Sequence, residues 1–264
     1  MNAKSIKTQC VIAGTMLLAG FGAAVYARAD VVTDWNANAD QALQTAAQPP
    51  PVQGRLMAIV HTAIYDAVNG IEQKYTPYFV TDSGPRQASA EAAAAQAGYT
   101  TLVALFPAQK ASLDAELAVS LGELHTSGHR IALGLEWGEY VANQILAWRS
   151  HDGFSTPPPP YFGGTGPGVW RSPPTGTNAD GTLPALFPQN AVLVPFAMTG
   201  HSQFRPGPPL ALTSPQYAAD VNEVKAIGRF DSAIRTPTQT QLALLWQAAP
   251  RHSAAHVRLR QPCR

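Results

Sequence analysis

The stretch Arg55 to Tyr75, RLMAIVHTAIYDAVNGIEQKY, constrains this chain more than any other. Leu56, Ile59, Val60, Ala63, Ile64, Ala67, Val68 and Ile71 recur at i, i+3, i+4 and i+7, which makes one broad apolar face on an α-helix. Arg55, Thr62, Asp66, Asn69 and Glu72 fall on the other side. Pro49-Pro50-Pro51 stops a helix from running in from upstream, because proline lacks an N–H and restricts the residue before it. Gly70 weakens the last turn and Pro77 closes the segment. A helix this apolar along one side must be covered by others, so the stretch predicts the central helix of a bundle.

Residues 1–29 read as a signal peptide rather than as fold. Lys4 and Lys7 form a basic start, Val11 to Val25 is apolar, and Ala27-Arg28-Ala29 is a small-x-small cleavage signal that leaves Asp30 first. The apolar run is short beside the roughly 20 residues that a bilayer span needs. The expectation is an exported chain, periplasmic or secreted, with no stable membrane span after cleavage. The mature chain then holds one cysteine, Cys263, which excludes an internal disulfide and a cysteine metal cluster. The whole 264 residues are 45% hydrophobic, enough for one sizeable core. With 13% charged residues, a net charge of +1 and no basic stripe, no nucleic-acid partner is expected.

The rest of the pattern is all-α. Val31 to Ala47 carries Trp35, Ala39 and Leu43 on one face. Ala88 to Phe106 carries Ala92, Ala95, Tyr99, Leu102, Val103 and Phe106, and its alanines allow close helix approach. A helix from Pro107 carries Leu113, Leu117, Leu121 and Leu124; the next runs through Ile131, Leu135, Ala142 and Ile145 to about Trp148. Ser214 caps a helix with Pro215 at its first position and Gly228 just past its end. Thr236, Pro237 and Gln239 spell a capping box for a last helix, which presents Leu242, Leu245 and Trp246 and is cut at Pro250.

Between these helices lies 151–213, rich in proline and glycine, as in Pro157-Pro158-Pro159-Pro160 and Gly166-Pro167-Gly168. So long an irregular stretch inside a domain is unusual. Trp170, Leu186, Phe187, Val192, Val194, Phe196 and Phe204 are a heavy apolar load for a linker, so an ordered excursion docked on the helices by its aromatics is expected. Residues 251–264, RHSAAHVRLRQPCR, are basic and lack apolar periodicity. They read as an atypical tail in which the frame is lost or the gene is broken near Pro250.

Five segments, in order, carry a family resemblance: HTAIYDAVNGIEQKYTPY from His61, GLEWGEYVANQILAWRSHDG from Gly134 with its Arg-x-x-Asp-Gly end, GPGVWRSPP from Gly166, PFAMTGHSQFRPGPP from Pro195, and YAADVNEVKAIGRFDSAIR from Tyr217 with Thr236 following. Together the chain resembles the N-terminal part of bacterial vanadium-dependent haloperoxidases, a branch of the type 2 phosphatidic acid phosphatase superfamily. The resemblance implies an all-α bundle of that type, here incomplete from 30 to 250. In the intact family a vanadate or phosphate is held by a lysine, an Arg-Pro, a Pro-Ser-Gly-His and a later Ser-Arg-…-His segment, because a multiply charged oxyanion needs several fixed cationic donors.

None of those motifs is matched at the corresponding positions, so no catalytic, cofactor-binding or metal-binding residue and no cofactor is assigned to this chain. Ser127-Gly128-His129 spells Ser-Gly-His, but Thr126 precedes it, and it reads as a helix N-cap in a turn. Arg205-Pro206 lies in the proline-rich loop, with Met198 where the family's lysine would stand. Arg251 and His256 imitate the last motif without its serine, glycine or spacing. His125 and His129 have a helical metal-ligand spacing, but a turn interrupts it and no third ligand is evident. His61 with Tyr65 reads as a hydrogen-bonded boundary pair, and Asp220, Glu223 and Lys225 as a solvated helix side. The expectation is an exported haloperoxidase-like or acid-phosphatase-like fragment, inactive alone; the alternative is a non-enzymatic helical module that binds a partner. Peroxidase and phosphatase remain equally open. A bundle missing its later helices would leave the faces of Arg55–Tyr75 and Leu242–Trp246 partly bare, which predicts self-association or aggregation.

Overall fold

The computed structural model of the protein describes residues 30–172 and 183–247. The expected signal peptide and the basic tail fall outside the described residues. Those residues form seven α-helices: α1 Val31–Thr45, α2 Pro50–Glu72, α3 Ala90–Leu105, α4 Lys110–Gly122, α5 Gly128–Ser150, α6 Pro215–Gly228 and α7 Pro237–Gln247. Among the described residues there is no named strand, and no helix is long and apolar enough to cross a membrane.

Local chemistry sets most of the helix starts. The carboxylate of Asp30 accepts from the Thr33 N–H at the head of α1, and Ser89, Ser127 and Ser214 do the same for α3, α5 and α6. Thr236 and Gln239 close the expected capping box: the Thr236 N–H donates to Gln239 Oε1 and the Gln239 N–H to Thr236 Oγ1. The proline run begins α2 instead of lying ahead of it. Pro49 is the extended N-cap and Pro50 and Pro51 occupy the first turn, where a missing N–H costs nothing. The helix therefore starts five residues before Arg55 and ends at Glu72 rather than Tyr75, with Gln73 in the left-handed region at φ 54°. Gly228 closes α6 as its last residue, not beyond it; Arg229 is the extended cap.

The core is built from α1 to α5, and its hub is α3, not α2. Only α3 packs against all four of the others, most extensively against α5 and then α2. Its run of Ala92, Ala93, Ala94, Ala95 and Ala97 is fully buried. Small residues let backbones come close, and α5 answers with its own: a Cβ on Gly138 would lie 2.4 Å from the Ala93 carbonyl oxygen, and one on Gly134 2.5 Å from that of Ser89. Trp35 of α1 lies over Gly98, fully buried, with its indole N–H donating to Ser120 Oγ of α4. Trp137 of α5 fits against Gly70 and Gly84 and donates to the Ala67 carbonyl at 2.9 Å.

Much of the polar side of α2 is buried, although Glu72 at its end is exposed. Thr62, Asp66 and Asn69 are all inside, and each is satisfied. Asp66 accepts three backbone N–H bonds, from Tyr78 at 2.6 Å and from Phe79 and Val80 at 2.8 Å. Asn69 brackets Tyr75, donating to its carbonyl and accepting from its N–H. The chain after α2 folds back along it, and a buried carboxylate is tolerable there because the returning backbone hands it donors.

Candidate functional site

Beyond the core, the chain concentrates charge at one buried place, where α2, the end of α5 and the excursion meet. Arg149 and Asp152 are 1% and 2% exposed. Asp152 Oδ2 accepts from Arg149 Nη2 at 2.7 Å, Arg149 Nε at 3.1 Å and Arg55 Nε at 2.8 Å; its Oδ1 accepts from the Phe154 N–H at 3.0 Å. Arg55 Nη2 donates to the Arg149 carbonyl, and Arg149 Nη2 to that of Val194. The Val194 N–H returns to the Asp152 carbonyl at 2.8 Å. Aromatic faces close the cluster: Phe196 lies 3.9 Å and Trp148 4.6 Å from the Arg149 guanidinium, and Phe154 lies 4.4 Å from that of Arg55. Burial pushes the Asp152 carboxyl up, but the hydrogen bonds from Arg55 and the Phe154 N–H and the charges of Arg55 and Arg149 outweigh it and hold it below the usual carboxylate range.

Chemically this cluster is a clamp. Its one carboxylate is saturated by two guanidinium groups, and those groups are turned toward it and toward backbone carbonyls. Arg149 Nη1 is the one buried side-chain polar atom without a hydrogen-bond partner among the described residues, and the aromatic rings sit over its guanidinium. The Arg-x-x-Asp-Gly end of α5 was visible in sequence as a match; its partner Arg55, 97 positions away from Asp152, was not.

The clamp also fixes how far the excursion docks. Phe154, Phe187 and Phe196 pack against the core, and Trp148 stacks with Phe79 and meets Phe196 edge-on. His201 bonds the Leu193 carbonyl. The expectation that the excursion docks by its aromatics is too broad: Trp170 and Phe204 stay exposed, as do the aliphatic Leu186, Val192 and Val194. Among the described residues of the excursion, Phe154, Phe187 and Phe196 are the large apolar side chains that pack on the core, near the segment held by Arg149 and Asp152.

The structure scatters the other sequence candidates. Ser127 Oγ accepts from the Arg130 N–H as the N-cap of α5, while His125 and His129 are exposed nearby. Arg205 and Met198 are exposed in the excursion, and Asp220, Glu223 and Lys225 are exposed on α6. Arg251 and His256 lie outside the described residues. Among the described residues no group of His, Cys, Asp or Glu is arranged to hold a metal. His61 shares a 3.0 Å hydrogen bond with Asn36, and Tyr65 donates to the Thr76 carbonyl. These two edge an apolar groove of about 350 Å³ lined by Val32, Ile64 and Val68. Most of the apolar face of α2 is nevertheless covered, more than expected: Ile59, Val60, Ala63, Ile64 and Ala67 are all buried. Glu72 at its rim pairs with Lys74 at 2.9 Å.

No family model matches the chain, and no curated protein does. A solved structure does: that of a bacterial vanadium-dependent iodoperoxidase, 18% identical, with a TM-score of 0.61 over 84% of this chain and 56% of that one. The chain thus has an all-α fold of the haloperoxidase type and spans little more than half the length of that neighbour.

Proposed function

We propose that this protein is an exported helical scaffold of the haloperoxidase type that lacks the oxyanion-handling residues of the enzymes and turns over neither halide nor phosphomonoester by itself. The observation that carries the reading is the placement of its candidate donors. A vanadate or phosphate needs several cationic and hydroxyl donors converging on one point from which other partners are missing. Here Arg55 and Arg149 are committed through Nε and Nη2 to Asp152 and to carbonyls, with aromatic rings over the Arg149 guanidinium; Ser127 is committed to a helix cap, and His129 and Arg205 are exposed on separate segments. Among the described residues this arrangement gives no support for an oxyanion site, and no catalytic step is derived from it.

The test is to purify the mature chain, add vanadate, and assay bromide oxidation with peroxide and hydrolysis of a phosphomonoester. Background rates are expected in both assays. Turnover well above background that disappears in His129→Ala would overturn the reading and make Ser127-Gly128-His129 a site. For export, N-terminal sequencing is expected to begin near Asp30; protein that still carries Lys4 would refute cleavage.

A further inference from the structure

We infer that the groove between α1 and α2 is a binding site for a small amine, a ligand with one ammonium group on a compact apolar body. The groove is one continuous space of about 350 Å³. Small-molecule cavities run from about 300 to 1,000 Å³, so this one suits a small ligand and not a helix. His61, Tyr65, Val68 and Glu72 follow i, i+4, i+7 and i+11 along one stripe of α2, and Val32 of α1 supplies a second wall.

Those walls are set before any ligand arrives. Tyr65 donates to the Thr76 carbonyl at 3.0 Å, and His61 shares a 3.0 Å hydrogen bond with Asn36 of α1. Asn69 holds the backbone of Tyr75 by two bonds of 2.8 Å. Walls that are already ordered lose less freedom when a ligand binds. The floor of Val32, Ile64 and Val68 calls for an apolar body.

The charge at the groove has one sign. Among the described residues that line it, Glu72 is the one carboxylate, and there is no lysine or arginine. Glu72 is also the last residue of α2, whose last turn carries no basic residue, so the negative end of the helix adds to its field. Tyr65 and Tyr75 line the groove with it and offer aromatic faces to a cation. The carboxylate already takes an ammonium: Lys74 Nζ lies 2.9 Å from Glu72 Oε2. In that pair the lysine side chain is 63% exposed and the glutamate 39%, and exposed pairs are weak, so an ammonium that also fills the floor can displace it. A carboxylate ligand would meet Glu72 as a like charge, and a neutral one would leave it unused. This goes beyond the function proposed above and stands or falls separately from it, because its readout is binding and not turnover.

The experiment is a nuclear magnetic resonance titration of the purified exported chain with 2-phenylethylammonium. The neutral 2-phenylethanol and the anionic 3-phenylpropanoate serve as counterparts with a similar body. The signals followed are the ring of His61 and the methyl groups of Val68. The ammonium is expected to shift both, with a Kd about fivefold below that of the alcohol, the upper range for one partly exposed ion pair. The propanoate should bind weakest. Glu72→Gln should bring the ammonium to the Kd of the alcohol, and Lys74→Gln, which frees the carboxylate, should tighten the ammonium alone. Glu136→Gln, at an exposed carboxylate on α5, should change nothing. Equal binding of the three ligands would overturn the inference. So would the absence of any shift at His61 and Val68, or a preference for the ammonium that survives Glu72→Gln.

Discussion

The five-helix core and the α6–α7 arm are written in the same sequence language and end in opposite physical states. Both have capped helices, both have apolar residues at helical spacing, and both have an Arg–Asp pair close in sequence. In the core, Arg149 and Asp152 are buried, supported by Arg55 and covered by Phe196. In the arm, Arg229 and Asp231 are 60% and 68% exposed. The difference teaches that a cap or an ion pair is fixed by its neighbours within a few residues, whereas its energetic weight is fixed by whether the rest of the chain takes water away from it.

The largest expected effect comes from removing the shared carboxylate. Asp152→Ala leaves two guanidinium groups without their counter-charge in a dry site and should destabilise the core by about 3–5 kcal/mol. Asp231→Ala, made on the arm, should leave the core transition where it is. Denaturant unfolding followed by the near-ultraviolet signal of Trp35 and Trp137 measures both. Equal shifts would erase the distinction between the two regions.

A second contrast uses glycine. Gly138→Val drives a Cβ into the Ala93 carbonyl, which is backbone and cannot turn aside; a cost at the upper end of about 1–3 kcal/mol, or more, is expected. Gly228→Ala meets nothing nearer than Val224 at 3.9 Å, and should raise the helical signal of the arm without moving the core midpoint. A core that tolerates Gly138→Val at full stability would mean that α3 and α5 can separate.

Acid should act on the core through Asp152. Its folded-state pKa lies below the ordinary value of 3.8, so the protonated carboxyl is favoured more in the unfolded chain than in the folded one. Its contribution is therefore fully present above the unfolded pKa and is lost as pH falls through the folded one. Stability should show no dependence on this group between about pH 5 and 7, and an acid-side loss below about 4 that Asp152→Asn flattens. A titration identical in the two proteins would show that the clamp is not the acid-sensitive element.

The smallest effect is kinetic. Limited chymotrypsin digestion should cut first after the exposed Phe230 and Phe204, and spare Phe187 and Phe196, which pack on the core. Early cleavage after Phe196 would show that the clamp does not hold the excursion down.

Much of the local structure was legible because it is written within a few residues. Ser127, Ser214 and the Thr236–Gln239 box cap helices through contacts three positions away. The site was legible only in part. Ser127-Gly128-His129 could be read as a cap, because Ser127 already had a local N–H to accept. The Arg55–Asp152 bond could not, since nothing local links positions 97 apart. The burial of Asp66 was not legible for the same reason. A carboxylate on an apolar helix looks solvated until the backbone of Tyr78 to Val80 returns to it.

By itself, then, the sequence determined that this chain is helical, roughly where each helix begins, and that the described part of 151–213 holds no α-helix. Periodicity, caps and proline act through bonds within one or two turns, so their outcome does not wait for the fold. Only the tertiary structure decided that alanine-rich α3 is the hub and that the polar side of α2 is interior. It also decided that Phe187 and Phe196 dock while Trp170 and Phe204 do not, and that the apolar stripe of α7 stays in water. Those outcomes depend on which distant backbone or ring arrives to replace water. An apolar stripe states that it should be buried, and only its neighbours determine whether it is.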